Sequence, residues 1–359
     1  MEFIQKICDE VGPRLGGSEE ERRAGNIIHE ELRNFCDEVE QEEFTCHPRG
    51  FLDFIWITAV FYIAGILAYL FFNPLLSNFF IIIAFSIYIA QQNLLYEVVD
   101  FLFPKKSSFH VIGKIKPQQV ASKLVLLSSH HDSAYEFPLF SKLGRSSVYI
   151  IIIAVLIVVL NIFLNFAAII LFFIDDFSQN AEPSKLDLSF LQLTVIQLID
   201  LLQIILFSIG TIFVTVIALF LRSNKVVLGA NDNLTGVAVV LECGRQFAQN
   251  RLIKTEIWLI SFAGEEHMRG SKRFVKKHHK ELQERQAILL NLECLNAESF
   301  LLATAENMFL TKHSPLLVEK VVQAAKTVNV PIQAAPLRFA GSDAANFSRK
   351  GLHATTIFG

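Results

Sequence analysis

Charged residues are scarce in this chain. Asp, Glu, Lys and Arg make up 19% of its 359 residues, where soluble domains carry about a quarter, so the composition is shifted toward lipid. The charge is also nearly balanced. A formal net charge of -3, with no basic stripe carrying interleaved aromatics, excludes a nucleic-acid partner. Cysteine is sparse and scattered: Cys8, Cys36, Cys46, Cys243 and Cys294 are odd in number and form no Cys-x-x-Cys. That excludes a disulfide framework and a zinc knuckle and agrees with a reducing compartment. The N-terminus opens charged and amphipathic, so no cleavable signal peptide is expected.

What the chain has in quantity is apolar sequence, 52% of all residues. Residues 54–72 carry no charge and are about long enough to span a hydrocarbon core. A turn at Asn73-Pro74 leads to a second span over 75–95. A third covers 148–174, with Asn161 and Asn165 one turn apart on one face, and a fourth covers 201–221. No pair of spans is interrupted by Gly and Pro, so the broken-helix signature of a transporter is missing. Asp200 precedes the fourth span and is expected at the membrane interface rather than within it. Arg49, Lys105, Lys106, Lys142, Arg145, Arg222 and Lys225 flank one end of the spans. The loop between spans three and four carries Asp175, Asp176, Glu182, Lys185 and Asp187. By the positive-inside rule, this multi-pass protein should hold its polar segments in the cytoplasm. Each insertion contains an even number of spans, so segments 1–50, 105–145 and 223–359 fall on one side. They are expected to assemble into one discontinuous domain, with 51–96 and 148–221 as transmembrane hairpins.

The polar segments alternate between helical and strand patterns. Phe3, Ile4, Ile7 and Val11 predict a short first helix. Ser18 caps a second, with Glu19, Glu20 and Glu21 supplying a capping box and acids matched to the helix dipole. Residues 39–44 and 109–115 alternate as strands, the latter of edge or hairpin type. Residues 123–129, 257–262 and 287–292 are the apolar runs of buried central strands. Helices follow Gly236, cover the basic stretch with Lys272, Arg273, Lys276 and Lys277, and recur near 314–328. This order predicts an α/β fold with a mixed, mostly parallel sheet and helices on both faces.

The strand over 257–262 runs into Glu265-Glu266. An isolated acid pair is ordinarily a solvated turn, but strand ends in open α/β sheets are where ligands bind, and this pair is not isolated. The strand over 123–129 ends at His130-His131-Asp132-Ser133, and the strand over 287–292 ends at Glu293. Asp232 sits in the loop Gly229-Ala230-Asn231-Asp232-Asn233-Leu234-Thr235-Gly236. Imidazole with carboxylates and no thiolate is the ligand set of zinc-type hydrolytic sites. A carboxylate bridging two metals is the arrangement of two-metal aminopeptidases. The other singled-out residues read blandly. His131 is a loop residue beside the ligand, His47 and His110 are surface or strand positions, His278 and His279 belong to a surface helix, and Cys294 is a small buried residue.

Taken in order, His130-His131-Asp132, the Gly229–Gly236 loop, Glu265-Glu266 and Asn291-Leu292-Glu293 resemble the M28 family of zinc peptidases, which includes aminopeptidases and glutamate carboxypeptidases. The opening Gly12-Pro13-Arg14-Leu15-Gly16-Gly17-Ser18-Glu19-Glu20-Glu21-Arg22 is also similar to the family's first helix-loop-helix. The resemblance covers the polar segments and none of the apolar spans. It implies a zinc-peptidase (phosphorylase/hydrolase-like) fold, two zinc ions and a peptide or small amide substrate. It implies that His130 and Asp232 hold one zinc, and that Asp232, Glu266 and Glu293 serve the other. It further implies Glu265 as general base and Asp132 as the carboxylate that orients His130.

The chain departs from the family in three ways. Glu293 stands where the family has Asp. The second hairpin lengthens the interval between His130 and Asp232. The family's late His is not visible, since His353 follows Gly351-Leu352 where proline is commoner, and Thr355-Thr356-Ile357-Phe358-Gly359 reads as a strand cut before the expected loop. One ion is the expectation if that ligand is absent. The implied function is a membrane-anchored zinc peptidase, aminopeptidase ahead of carboxypeptidase. A catalytically inactive membrane scaffold or receptor is the other class, and retention of Glu265 speaks against it.

Overall fold

The computed structural model describes residues 1–180 and 189–359. Glu182, Lys185 and Asp187 of the expected acidic loop therefore lie outside the described residues. The chain divides into two units. One comprises Met1–Phe51, Gln92–Glu136 and Asn224–Gly359, the other Leu52–Gln91 and Phe137–Ser223.

The first unit is α/β. It begins with helices α1 (Glu2–Glu10) and α2 (Glu19–Arg33), then strand β1 (Glu38–Cys46). Ser18 caps α2 by accepting from the Glu21 N–H at 3.2 Å. Glu21 completes the box one residue early, accepting from the Gly17 N–H at 2.6 Å. It is not a solvated dipole acid, however, because it is fully buried. After the first apolar hairpin come β2 (Lys106–Ile115) and β3 (Lys123–His130). The stretch after the second hairpin supplies α8 (Thr235–Gln249), β4 (Thr255–Phe262), α9 (Gly270–Glu284), β5 (Ile288–Glu293), α10 (Pro315–Thr327), α11 (Ala344–Ser348) and β9 (His353–Phe358). Three further strands, β6 (Phe300–Glu306), β7 (Thr311–Lys312) and β8 (Ile332–Leu337), extend the sheet. Their short, weakly apolar runs carry no clear period.

The strand order is β1-β2-β4-β3-β5-β9-β6-β7, with β8 on β6. The central strands β4, β3, β5 and β9 run parallel; β1, β2 and β6 join antiparallel. β2 is not an edge strand. It pairs with β1 on one side and β4 on the other, and is buried on both faces because helices cover both. Along β4, Ile257 and Leu259 point to one core with α1, α2 and α8. Trp258, Ile260 and Phe262 point to the other, with α9 and α11. That is the period of two expected of a strand. The chain visits β3, then β4 on one side of it, then β5 on the other. This places the carboxyl ends of all three at a topological switch point.

The second unit holds α3 (Gly50–Phe71, starting in the last residues of the first unit), α4 (Pro74–Tyr88, continuing as a wider turn to Asn93), the short α5 (Pro138–Leu143), α6 (Ser146–Asn180) and α7 (Ser189–Phe220). Among the described residues four helices are long and apolar enough to cross a membrane: Gly50–Phe71, Pro74–Asn93, Ser146–Leu171 and Thr194–Phe220. Polar side chains turn inward. Asn161 donates to the Tyr62 hydroxyl at 3.0 Å and accepts from Gln203 at 2.9 Å, and Asn165 donates to Ser77 at 3.2 Å. Asp200 accepts from the Tyr69 hydroxyl at 2.5 Å. Tyr69 stands two residues before the end of α3, so Asp200 lies level with that helix end, yet it falls inside the apolar stretch Thr194–Phe220 rather than before it. At the other end of α3, Asp53 pairs with Arg222 just beyond α7, so the two helices run antiparallel.

Candidate metal centre

Three parallel strands deliver their last residues to one place. β3 ends at His130, β4 passes through Phe262 into Glu265-Glu266, and β5 ends at Glu293. The fourth contribution, Asp232, arrives on the loop before α8, and its backbone is forced by two glycines. Gly229 has φ +61°, and a Cβ there would meet Ser133 Cβ at 2.6 Å and Arg14 Nη2 at 2.8 Å. A Cβ on Gly236 would meet Asn233 Oδ1 and the Leu292 carbonyl at 2.6 Å. Only glycine lets the chain turn and then lets α8 start against the strand ends.

His130 Nε2 lies 3.1 Å from Asp232 Oδ1, 3.2 Å from Glu293 Oε2 and 3.7 Å from Glu265 Oε2. Among the described residues two groups could hold a metal ion, His130 with Asp232 and Glu293, and His130 with Glu265 and Glu266. Asp132 does two jobs from behind. Its Oδ1 is 3.4 Å from His130 Nδ1, and its two oxygens accept from the backbone N–H groups of Glu265 at 3.1 Å and Glu266 at 3.2 Å. It therefore orients the imidazole and fixes the acid loop together. Glu293 is held by Asn291 at 2.7 Å and by the Asn233 amide. Asn291 is held in turn by Ser128 at 2.6 Å.

Burial makes this many acids costly. Burial, together with Glu293, Asp343 and Glu266, holds Glu265 well above the usual carboxylate range. Burial and Asp232 do the same to Glu266. Burial alone would discourage charge on His130, but Glu293 and Glu265 outweigh it and raise the imidazole well above its ordinary value. Asp132 goes the other way. Despite burial, hydrogen bonding and charge from His130 lower it to about 2. Glu266 Oε1 and both oxygens of Asp343 make no ordinary hydrogen bond. A nest of buried, mutually repelling oxygens around one imidazole is the donor set a divalent cation relieves, so the residues fit zinc.

The structure adds residues that the sequence pattern did not single out. Asp343 enters from the Gly341-Ser342-Asp343 loop, and burial and neighbouring acids hold it well above its usual range. Its loop is braced by Glu306, which accepts from the Ser342 N–H at 3.0 Å and the Ser342 hydroxyl at 2.5 Å. Arg14 is buried and donates to the carbonyls of His131 at 2.8 Å, Gly12 at 2.8 Å, Leu228 at 2.9 Å and Gly229 at 3.0 Å. Glu21 contacts Ser108 at 2.6 Å. Burial first and Asp132 second push it up to about 8.

His131 follows the end of β3 beside His130 and His110 lies on strand β2, as expected, but both are more buried than such positions require. His131 is fully buried and contacts the Ser261 hydroxyl at 2.8 Å. His110 is buried as well. Its Nδ1 accepts from the Ala263 N–H at 3.2 Å and its Nε2 donates to the Gly270 carbonyl at 3.2 Å. It thus clamps both ends of the loop that carries Glu265 and Glu266. Among the described residues, the metal-competent groups contain one imidazole, His130. His353 is opposite Ile288, whereas Phe358 is opposite Glu293. The ring is therefore five residues, roughly 16 Å, from the site, and it bonds Ser314 instead.

His110 gives a pH prediction. Burial lowers it from an ordinary 6.5 to about 4, so between those values the unfolded chain binds a proton that the folded chain refuses. Stability from this residue is intact above pH 6.5, falls as pH drops toward 4, and is flat below, a loss of up to about 3 kcal/mol. The melting temperature of wild type should fall more steeply over that window than that of His110→Phe. Parallel slopes would remove His110 from the account.

Residues 213–358, which hold Asp232, Glu265, Glu266 and Glu293, match the model of Peptidase family M28. No curated protein matches it. Among solved structures it is similar to BSAP, a zinc aminopeptidase from Bacillus subtilis, at 13% identity and a TM-score of 0.52, covering 99% of this chain and 83% of that one. It is also similar to a glutaminyl cyclase from an Acidobacteriales bacterium, at 11% identity and 0.52, covering 100% and 77%. A glutaminyl cyclase from Porphyromonas gingivalis gives 13% and 0.52, covering 99% and 81%. At such identities the likeness is one of fold.

Proposed function

We propose that this chain is a zinc-dependent M28 aminopeptidase tethered to a membrane by the apolar helices. The observation that carries the reading is the convergence of His130 with Asp232, Glu293 and Glu265 within 3.1 to 3.7 Å at three adjoining strand ends. His130, Asp232, Glu266 and Glu293 would hold the zinc, as one ion or two. When bound, it would polarise the scissile carbonyl and acidify the attacking water. Glu265 then takes the proton of that water on a carboxylate oxygen and passes it to the leaving amine. Asp132 keeps His130 and the acid loop in register. Acids crowd the centre, namely Asp132, Asp232, Glu265, Glu266, Glu293 and Asp343, while the adjoining Arg14 is engaged with backbone carbonyls. The site thus favours a substrate's terminal ammonium over a terminal carboxylate, which supports aminopeptidase over carboxypeptidase.

Arg49, Lys105, Lys142, Arg145 and Arg222 flank the same ends of antiparallel helices, which supports a cytoplasmic domain by the positive-inside rule. The likeness to glutaminyl cyclases supports a second reading, intramolecular acyl transfer onto an N-terminal amine at the same groups.

Elemental analysis of purified wild type beside Asp232→Ala, with hydrolysis of aminoacyl and N-acetyl aminoacyl amides, tests the proposal. Zinc lost with Asp232, and turnover of free-amine substrates alone, is the expected result. Cyclisation of N-terminal glutaminyl peptides without hydrolysis would favour the second reading. Wild type that binds no zinc would sink both and leave an inactive scaffold.

A further inference from the structure

The α/β unit holds a cavity of about 610 Å³ that shares no residue with the metal centre. Its lining is the reverse of that centre's. Lys105, Lys272, Arg273, Lys276 and Lys350 face a single acid, Glu97. Glu97 is already engaged, accepting from Lys272 at 2.9 Å and from both Arg273 Nη atoms at 2.7 and 2.5 Å. Lys105, Lys276 and Lys350 therefore contribute charge for which no ion pair exists among the described residues. His47, also in the wall, donates Nδ1–H to the Phe103 carbonyl at 2.6 Å, which fixes its ring. Low-dielectric walls focus such a field. Pockets that take neutral ligands are mostly apolar, so a cavity this basic selects an anion of more than one charge. Lysines serve phosphate as point charges.

The chain around the cavity says where the anion comes from. His47 stands three residues before Gly50, the first residue of α3, a reach of about 11 Å at most. Glu97 and Lys105 lie between Asn93, where the second apolar helix ends, and β2. The same connecting stretch exposes Tyr96 by 55%, Phe101 by 72% and Leu102 by 59%. Aromatic and apolar side chains left in the open beside lysines are the composition of a membrane-interface segment. Basic pockets at the ends of membrane helices bind phosphate-bearing head groups.

We propose that this cavity is a phosphate-binding site, filled by a phospholipid head group or by a soluble phosphate compound. The lipid source rests on the reading that the apolar helices lie in a bilayer; the phosphate chemistry does not. The full chain, purified in detergent, is titrated with dioctanoyl phosphatidic acid, with dioctanoylglycerol as uncharged control, and with inorganic phosphate. Wild type is compared with the triple variant Lys105→Glu/Lys276→Glu/Lys350→Glu, whose zinc content reports separately on the metal centre. Phosphatidic acid should bind wild type at least about tenfold tighter than the triple variant, with the gap shrinking as salt rises. Phosphatidic acid binding that inorganic phosphate does not displace assigns the lipid source. Equal binding of the two probes assigns a soluble one. Neither probe distinguishing wild type from a zinc-loaded triple variant would overturn the site, and a chain that stays soluble without detergent would remove only the lipid source.

Discussion

Glu265→Gln is expected to lower kcat/KM on aminoacyl amides by about 10²- to 10⁴-fold and to leave zinc content unchanged. Gln keeps the shape of Glu and loses its capacity to accept a proton. The change should not disturb the loop, because Asp132 holds residues 265 and 266 through their backbone N–H groups rather than through the side chain. Nor should it empty the site, since Glu265 Oε2 lies 3.7 Å from His130 Nε2 while Asp232 and Glu293 lie at 3.1 and 3.2 Å. A split between rate and metal content is thus the signature of a proton carrier. Glu293→Ala, by contrast, should lose both. Wild-type turnover in Glu265→Gln would remove it as the base. An equal loss confined to Asp343→Asn would transfer the role to that buried acid, neither of whose oxygens makes an ordinary hydrogen bond.

Arg14→Met should destabilise the protein by about 3–5 kcal/mol, the range for breaking a buried charged network, and should lower zinc occupancy as well. The guanidinium joins carbonyls from three separate stretches: Gly12 of the first loop, His131 beyond β3, and Leu228 and Gly229 before Asp232. Its removal leaves those oxygens buried without a donor and releases the loop that carries Asp232. Arg14→Lys should rescue little. A single ammonium with three donors cannot reproduce a planar fork that reaches four carbonyls. Thermal unfolding of the three proteins in one detergent, with zinc measured on each, checks the point. Arg14→Lys matching wild type in both would mean that charge alone matters, and the clamp would be wrong.

Much of the centre was legible before the fold. His130, Asp132, Asp232, Glu265, Glu266 and Glu293 each follow a local signal, an apolar strand running out into a ligand-type residue or a glycine-framed loop. The structure brings all six to one place. Arg14, Glu21 and Asp343 had no such signal. A lone arginine in a Gly-Pro loop, or an acid in the first turn of a helix, reads as solvated unless something distant covers it. Glu21 is covered by β2 through Ser108 and by the site through Asp132. His110 and His131 show the same limit, because neither a histidine on an alternating strand nor one in the loop after a strand carries a mark of whether it will be covered.

By itself, then, the sequence determined the ligand types and their order, the four apolar helices, and the alternation that makes an α/β unit from three separated stretches. These are consequences of local periodicity and side-chain chemistry, which a single segment carries whole. Only the tertiary structure decided that β4 lies between β2 and β3, that His353 is at the far end of β9 from Glu293, and that Arg14 and His110 brace the loops of the centre. Those outcomes depend on which distant segments exclude water from one another, and burial of that kind belongs to pairs of segments rather than to either one alone.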